Sequence, residues 1–154
     1  MRCWLVKSEP EAYSIDDLKR EGKTYWSGVR NYQARNFMRD QMQVGDPILF
    51  YHSNAAPPGV AGMARVCKKA HPDFTAWDPQ DEHYDPKAGP GSSLWMMVDI
   101  EFVEKFPRFV SLQELRDHPQ LKTLLLLKPG QRLSIQPVEK KHFEIIQRLG
   151  QKIK

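Results

Sequence analysis

Short apolar runs bounded by glycine or proline are the feature of this sequence that most restricts its fold. They are rich in Val, Ile, Met and aromatic residues, which favour strands. Between Met96 and Val103 the even positions are apolar, and the odd positions include Asp99 and Glu101, as in a half-buried strand. We predict strands at 3–7, 47–52, 59–69, 94–105 and 131–135.

Four other segments show helix signals. Ser14 precedes an acidic first turn, and Ser111 is followed three residues later by Glu114, as in a capping box. Segments 32–42 and 139–149 place apolar residues at helical spacing. Strands joined by short helices around one core predict an α+β domain with a curved, mostly antiparallel sheet and flanking helices.

The chain length predicts a single domain over residues 1–154. Residues 70–93 are rich in proline and glycine and predict a long loop, a feature that is usually functional or disordered in compact domains. Cys3 and Cys67 lie in apolar runs, so we expect buried, reduced thiols.

Composition and motifs exclude several classes of protein. The apolar (40%) and charged (27%) fractions are ordinary for a globular domain, and no apolar run approaches a membrane span of about 20 residues. The apolar stretch at the N-terminus is also too short for a secretory signal, so we expect a cytoplasmic protein. We further expect a monomer without a cofactor. The sequence has no phosphate-binding glycine loop, zinc-protease helix motif or hydrolase nucleophile motif, which disfavours an enzyme. His71, Asp73 and the acidic residues near His83 lack a rigid metal-ligand spacing, and we interpret them as a solvated loop with no metal site.

The net charge is +4, and its excess lies in residues 101–154. A basic surface favours phosphate backbones, although charge of this size is weak evidence by itself.

Polar and aromatic residues gather at the ends or edges of three predicted elements. An aromatic face with nearby hydroxyls and amides suits a nucleobase. The alternative is that Trp26 belongs to the core and the polar residues form turns and caps; the residues alone leave both open. The three groups are Lys7, Ser8, Glu9 and Pro10; Tyr25, Trp26, Ser27, Gly28, Val29, Arg30 and Asn31; and Tyr51, His52, Ser53 and Asn54.

Several of these segments resemble the EVE domain family over essentially the whole chain. The segments are WLVKSEP at 4–10, WSGVRNYQARN at 26–36, FYHSN at 50–54, GVAGMARV at 59–66, HPD at 71–73, WDP at 77–79, YDPK at 84–87 and WMMVD at 95–99. The resemblance implies a PUA-like fold, with a five- or six-stranded barrel-like sheet, related to the YTH readers of methylated adenine. In YTH domains a Lys-Ser pair follows the first strand and a Trp forms one wall of an aromatic cage. Lys7, Ser8 and Trp26 look like their counterparts, and Trp77 is the nearest candidate for the second wall.

Family members are associated with modified cytosines in DNA, and the eukaryotic ones are nuclear proteins with a long basic N-terminal extension. This chain lacks that extension, so the resemblance implies a stand-alone bacterial member. We therefore expect a non-catalytic module that reads a modified base in DNA or RNA.

In that hypothesis Trp26 stacks on the base, while polar side chains bind its edge and basic side chains hold phosphates. Arg30 pairing with Glu9, His52 as a structural donor, and Asn31 and Asn36 as helix caps are alternatives. An RNA-binding module that recognises structured RNA, an enzyme acting on modified nucleotides and a protein-interaction domain also stay open. The edge-binding set is Ser8, Ser27, Ser53 and Asn54, with Asn36 near it, and the phosphate set is Lys7, Arg30, Arg35, Lys140 and Lys141.

Overall fold

One six-stranded sheet organises the protein, whose computed structural model describes residues 1–152. The strands lie in the order β2-β5-β4-β3-β1-β6, and every neighbouring pair is antiparallel except the parallel pair β1–β3. Their bounds are β1 (Cys3–Ser8), β2 (Lys23–Tyr25), β3 (Pro47–His52), β4 (Gly59–Pro72), β5 (Met96–Ser111) and β6 (Ile135–Val138).

The two longest strands curve the sheet. β4 and β5 are 14 and 16 residues long, and their pairing contains four register shifts. Bulges of this kind bend a strand and increase its twist. The sheet is open, with β2 and β6 as its edges. The predicted α+β class and curved, mostly antiparallel sheet are confirmed.

The predicted strand at 131–135 begins later than expected, and one observed strand was not predicted. Residues 131–134 form a loop, in which the Gln131 side chain accepts a hydrogen bond from the backbone of Leu133, so β6 begins only at Ile135. β2 was not predicted, because three residues are too few to show an alternating pattern.

Residues 1–152 contain four α-helices: α1 (Ile15–Glu21), α2 (Tyr32–Asp40), α3 (Leu112–Asp117) and α4 (Lys140–Gln151). Both predicted serine caps are confirmed. The Ser14 hydroxyl accepts from Asp17 N in a full capping box, and the Ser111 hydroxyl accepts from Glu114 N.

Alternation along β1 divides the apolar residues between two cores. Trp4 and Val6 pack with residues of α1 and α2 in the first core, whereas Cys3 and Leu5 pack with residues of α4 in the second. A strand buried on both faces reads as a continuous apolar run, which explains the sequence of β1. Cys3 is buried as predicted, but Cys67 is only half-buried.

Residues 70–93 are not one loop. Residues 70–72 continue β4, and Phe74–Trp77 form a 3-10 helix. The segment 73–95, which we call the flap, has a small core of its own built on Ala76, Ala88 and Trp95. Within residues 1–152 no group of three His, Cys, Asp or Glu side chains is placed to hold a metal ion. None of the helices in this part of the chain is long and apolar enough to cross a membrane.

Candidate functional site

A pocket of about 570 Å³ lies beside the carboxyl end of β1, between the β2–α2 connection and the flap. It brings together two of the three predicted groups of site residues. The predicted residues that line it are Lys7, Ser8, Glu9, Tyr25, Trp26, Ser27, Gly28, Val29 and Arg30.

Trp26 forms part of the pocket lining and is also anchored in the core. Its backbone N donates to Val98 O (2.7 Å), which continues the β2–β5 ladder by one residue. Its ring makes edge contacts with Tyr13 (centroids 6.2 Å apart) and Phe50 (5.7 Å) and stays partly exposed. The two interpretations of Trp26, core residue and stacking surface, are therefore compatible in this geometry.

Lys7 and Ser8 contribute a cation and a hydroxyl from the end of β1. Lys7 is half-buried, and desolvation lowers the pKa of its ammonium group. Among residues 1–152 no carboxylate oxygen lies within 4 Å of the Lys7 ammonium, so its charge is not neutralised by an ion pair there. The Ser8 hydroxyl donates to Tyr13 O, which leaves its oxygen lone pairs as acceptors.

A buried carboxylate holds the β2–α2 connection in place. Asp73 has no solvent exposure and accepts hydrogen bonds from Gly28 N (2.8 Å), Thr75 N (2.9 Å) and Arg30 Nη1 (3.0 Å). Burial alone raises the pKa of Asp73, but the hydrogen bonds from Thr75, Gly28 and Arg30 outweigh it and hold that pKa below its ordinary value. Asp73 thus ties the flap to the pocket wall.

Arg30 is fully engaged in this tie. Its Nη2 donates to His83 O (2.7 Å), and its guanidinium lies over the Trp95 ring (5.5 Å). The ion-pair partner of Arg30 is therefore Asp73 and not the alternative Glu9. All three guanidinium nitrogens of Arg30 already donate hydrogen bonds within the fold, so in this arrangement none is free for the phosphate that we predicted.

Gly28 lets the flap approach closely. Its φ of 80° is in the left-handed region, and a Cβ there would lie 2.5 Å from His83 Nε2. The His83 ring therefore packs directly against Gly28 and forms one side of the pocket, and only glycine fits at position 28 without strain.

The predicted residues on α2 lie outside the pocket lining. Asn31 caps α2 by accepting from Ala34 N (2.9 Å), whereas Asn36 accepts from Arg35 and caps nothing. Arg35 also donates to Leu94 O (3.0 Å) and covers the Tyr32 ring (4.9 Å). Arg35 is thus placed to connect α2 to the flap.

The residues at the end of β3 lie outside the pocket lining and contact the segments that form it. Tyr51 is buried in the second core, and His52 Nε2 accepts from Ile15 N (3.1 Å), so this ring acts as an acceptor rather than the expected donor. Ser53 N donates to Ser8 O (2.9 Å), and the Asn54 amide donates to a Glu9 carboxylate oxygen. Pro10 lies in the turn after β1, also outside the lining.

Three further predicted residues lie apart from the pocket. Trp77 packs against the small core of the flap, and its indole N–H is buried without a hydrogen-bond partner among the described residues. Lys140 and Lys141 are on α4, which packs on the opposite core.

Several pocket residues were missed from the sequence: Tyr13, Thr24, His83 and Ser134. They lie in turns, on the short β2 or in the flap, and folding alone brings them together. Tyr13 shows the effect of this burial, because desolvation and the hydrogen bond to Glu21 raise its pKa to about 12.

Comparison with known proteins gives relatives over the same span. Human thymocyte nuclear protein 1 is 42% identical over 168 residues, which cover 97% of this chain and 74% of that protein. The crystal structure of human THYN1 protein in complex with 5-methylcytosine containing DNA is 40% identical, covers 100% of both chains and has a TM-score of 0.92. A protein from Pseudomonas syringae is 46% identical, with 95% of this chain and 97% of that chain covered and a TM-score of 0.90.

A more distant structure, the YTH domain of the Zygosaccharomyces rouxii MRB1 protein, has a TM-score of 0.57 at 17% identity and covers 99% of this chain and 86% of that one. It shows that the fold is shared with YTH domains, as the resemblance implied. The family profile described as EVE domain matches residues 2–149, so this chain belongs to the EVE domain family.

Proposed function

We propose that this chain is a non-catalytic nucleic-acid-binding module that accepts one modified base against Trp26, with 5-methylcytosine in DNA as the leading candidate. The observation that carries the proposal is the pocket in which the partly exposed Trp26 ring lies with the unpaired Lys7 ammonium and the Ser8 hydroxyl. Stacking of a base on an aromatic ring contributes about 1–3 kcal/mol. The hydroxyl supplies an acceptor for a base edge, and the ammonium supplies a donor for a carbonyl or phosphate oxygen.

The size of the pocket supports a single nucleotide as the ligand. Its volume of about 570 Å³ is in the range of small-molecule sites. A double helix is too wide to enter a pocket of this size. The base must therefore be unpaired or turned out of the helix before it enters.

The relative whose structure contains 5-methylcytosine DNA supports the choice of base, since its chain matches this one over its full length. A cytoplasmic, bacterial setting remains part of the proposal; the alternative is the nucleus, after which the vertebrate relatives are named.

The absence of catalysis is part of the same proposal. Tyr13, with its raised pKa, stays protonated at neutral pH, and the Ser8 hydroxyl donates to a backbone carbonyl rather than to a base. Mass spectrometry of a bound oligonucleotide after long incubation should show unchanged mass; turnover would refute this part.

The test is an anisotropy titration of labelled single-stranded oligonucleotides that differ only in one base: cytosine, 5-methylcytosine, adenine or N6-methyladenine, each in DNA and RNA. We expect tighter binding of one modified base, and loss of that preference in Trp26→Ala. Trp77→Phe is the matched control, because Trp77 lies outside the pocket, and it should keep the preference.

Two results would contradict the proposal. Equal affinity for all bases, unchanged by Trp26→Ala, removes the pocket as a reader. Binding of structured RNA with strong salt dependence and no Trp26 dependence favours the RNA-binding alternative.

A further inference from the structure

Two exposed aromatic rings lie next to the pocket and have no role in the proposed function so far. Tyr25 and Phe74 are 47% and 45% exposed, and their ring centroids are 5.1 Å apart. Single exposed aromatic residues are common, but a touching pair at the edge of a pocket is typical of a contact surface.

The backbone positions of both residues are tied to the pocket wall. Tyr25 is the residue before Trp26, ends β2 and itself lines the pocket. Phe74 follows Asp73, whose carboxylate is hydrogen-bonded to Gly28 on the pocket wall. Successive residues of a strand point to opposite faces, so the Tyr25 ring lies across β2 from the Trp26 ring, which packs on the first core. Because β2 is an edge of the sheet, a nucleic-acid strand that leaves the pocket around this edge reaches the Tyr25 and Phe74 pair.

Basic side chains extend from this pair along the sheet face that is turned away from the first core. Tyr25 lies opposite Asp99, and Asp99 lies opposite Lys68; directly opposed residues share a face. Lys23 is two residues before Tyr25 and therefore on the same face.

The two carboxylates beside these lysines are already paired, Glu101 with Arg65 and Asp99 with His71 (2.8 Å). Lys23 and Lys68 have no ion pair within residues 1–152. They are therefore available to phosphates.

We propose that Tyr25 and Phe74 stack on the nucleotide that flanks the base in the pocket, and that Lys23 and Lys68 bind the phosphates of the same strand. This inference rests on the proposed function and adds a footprint of at least two nucleotides, running from the pocket across β2, β5 and β4. It replaces Lys140 and Lys141, which lie on α4, as the phosphate contacts.

The stacking step is tested with two oligonucleotides that contain the preferred modified base. In one the flanking nucleotides carry bases; in the other they are abasic, so the backbone is kept and stacking is removed. The wild-type protein should bind the first about tenfold more tightly, as expected for one stacked base. The double variant Tyr25→Thr with Phe74→Ser should bind both equally, while Phe109→Ala, an exposed phenylalanine outside the pocket lining, should keep the preference.

The phosphate step is tested by salt titration. Each single-strand phosphate contact adds about 0.7 to the slope of log affinity against log salt, so Lys23→Gln with Lys68→Gln should lower that slope by about 1.4. Lys140→Gln with Lys141→Gln should leave it unchanged.

The inference is overturned if the wild-type protein shows no preference for flanking bases, or if the Tyr25 and Phe74 variant retains it. It is also overturned if the Lys140 and Lys141 variant, and not the Lys23 and Lys68 variant, lowers the slope. In each case a persisting Trp26-dependent base preference shows that the proposed function stands; loss of dependence on Trp26 refutes the proposed function itself.

Discussion

Removal of the Asp73 carboxylate should destabilise the protein more than any single change on the surface of the flap. Asp73→Ala leaves the N–H of Gly28 and the guanidinium of Arg30 without their common acceptor, in a place with little access to water. Breaking a buried ion pair by removing one partner typically costs about 3–5 kcal/mol. That is a large part of a total stability of about 5–15 kcal/mol.

The assay is urea unfolding at pH 7, followed by far-ultraviolet circular dichroism and by tryptophan fluorescence. Asp73→Asn is the matched control: it keeps one acceptor oxygen and the side-chain shape, so we expect a smaller loss, about 1.5–3 kcal/mol for a hydrogen bond to a charged group. Binding of the modified oligonucleotide should weaken in both variants, since the β2–α2 connection is no longer fixed. A loss below about 1 kcal/mol in Asp73→Ala would refute the assigned role.

Asp73 should also make the stability of the protein depend on pH. The folded-state pKa of Asp73 lies below its unfolded value of about 3.9, so its stabilisation is fully present above that value and is lost as the pH falls through the folded-state pKa. The unfolding free energy of the wild-type protein should therefore fall below about pH 4. The profile of Asp73→Asn should be flatter there, and an equally steep profile in both proteins would contradict this account.

Three further predictions concern single positions. Gly28→Ala should cost about 1 kcal/mol or more in thermal unfolding and weaken oligonucleotide binding, because a Cβ at positive φ displaces His83; unchanged binding would contradict the close approach. Lys7→Met should raise the unfolding midpoint at neutral pH, since desolvation disfavours the charged form in the fold, yet weaken binding measured by anisotropy; a drop in both stability and affinity would point to a structural role instead. Ser111→Ala should lower the unfolding free energy by about 1 kcal/mol through loss of the cap on Glu114 N, without affecting binding, and a null result in urea titration would remove the cap from the account.

Local chemistry explains which elements the sequence predicted well. The caps at Ser14 and Ser111 depend on side chains that bond their own neighbours, so residue spacing alone identifies them. The strand at 47–52 was predicted with its observed bounds because its apolar run is closed on both sides by turn residues. β2 and the start of β6 are set by pairing with distant strands, for which the sequence carries no local signal.

The candidate site shows the same division. Lys7, Ser8 and Trp26 were identified because they lie in long motifs of the family, and the structure brings them together. We predicted that Arg30 faces a phosphate because the sequence around an arginine does not show which carboxylate it pairs with. Its partner, the buried Asp73, is 43 residues away in sequence. His83 was missed for the same reason, since only the packing of the flap places it against Gly28.

The most direct test of the central claim is the intrinsic fluorescence of Trp26 during titration with the modified oligonucleotide. A base that stacks on the ring should quench its emission in a saturable way, with the same midpoint as binding measured by anisotropy. The quenching should disappear in Trp26→Phe and persist in Trp77→Phe, whose indole lies outside the pocket. Quenching that persists in Trp26→Phe, or binding without any change in emission from the wild-type protein, would contradict the claim that this ring holds the base.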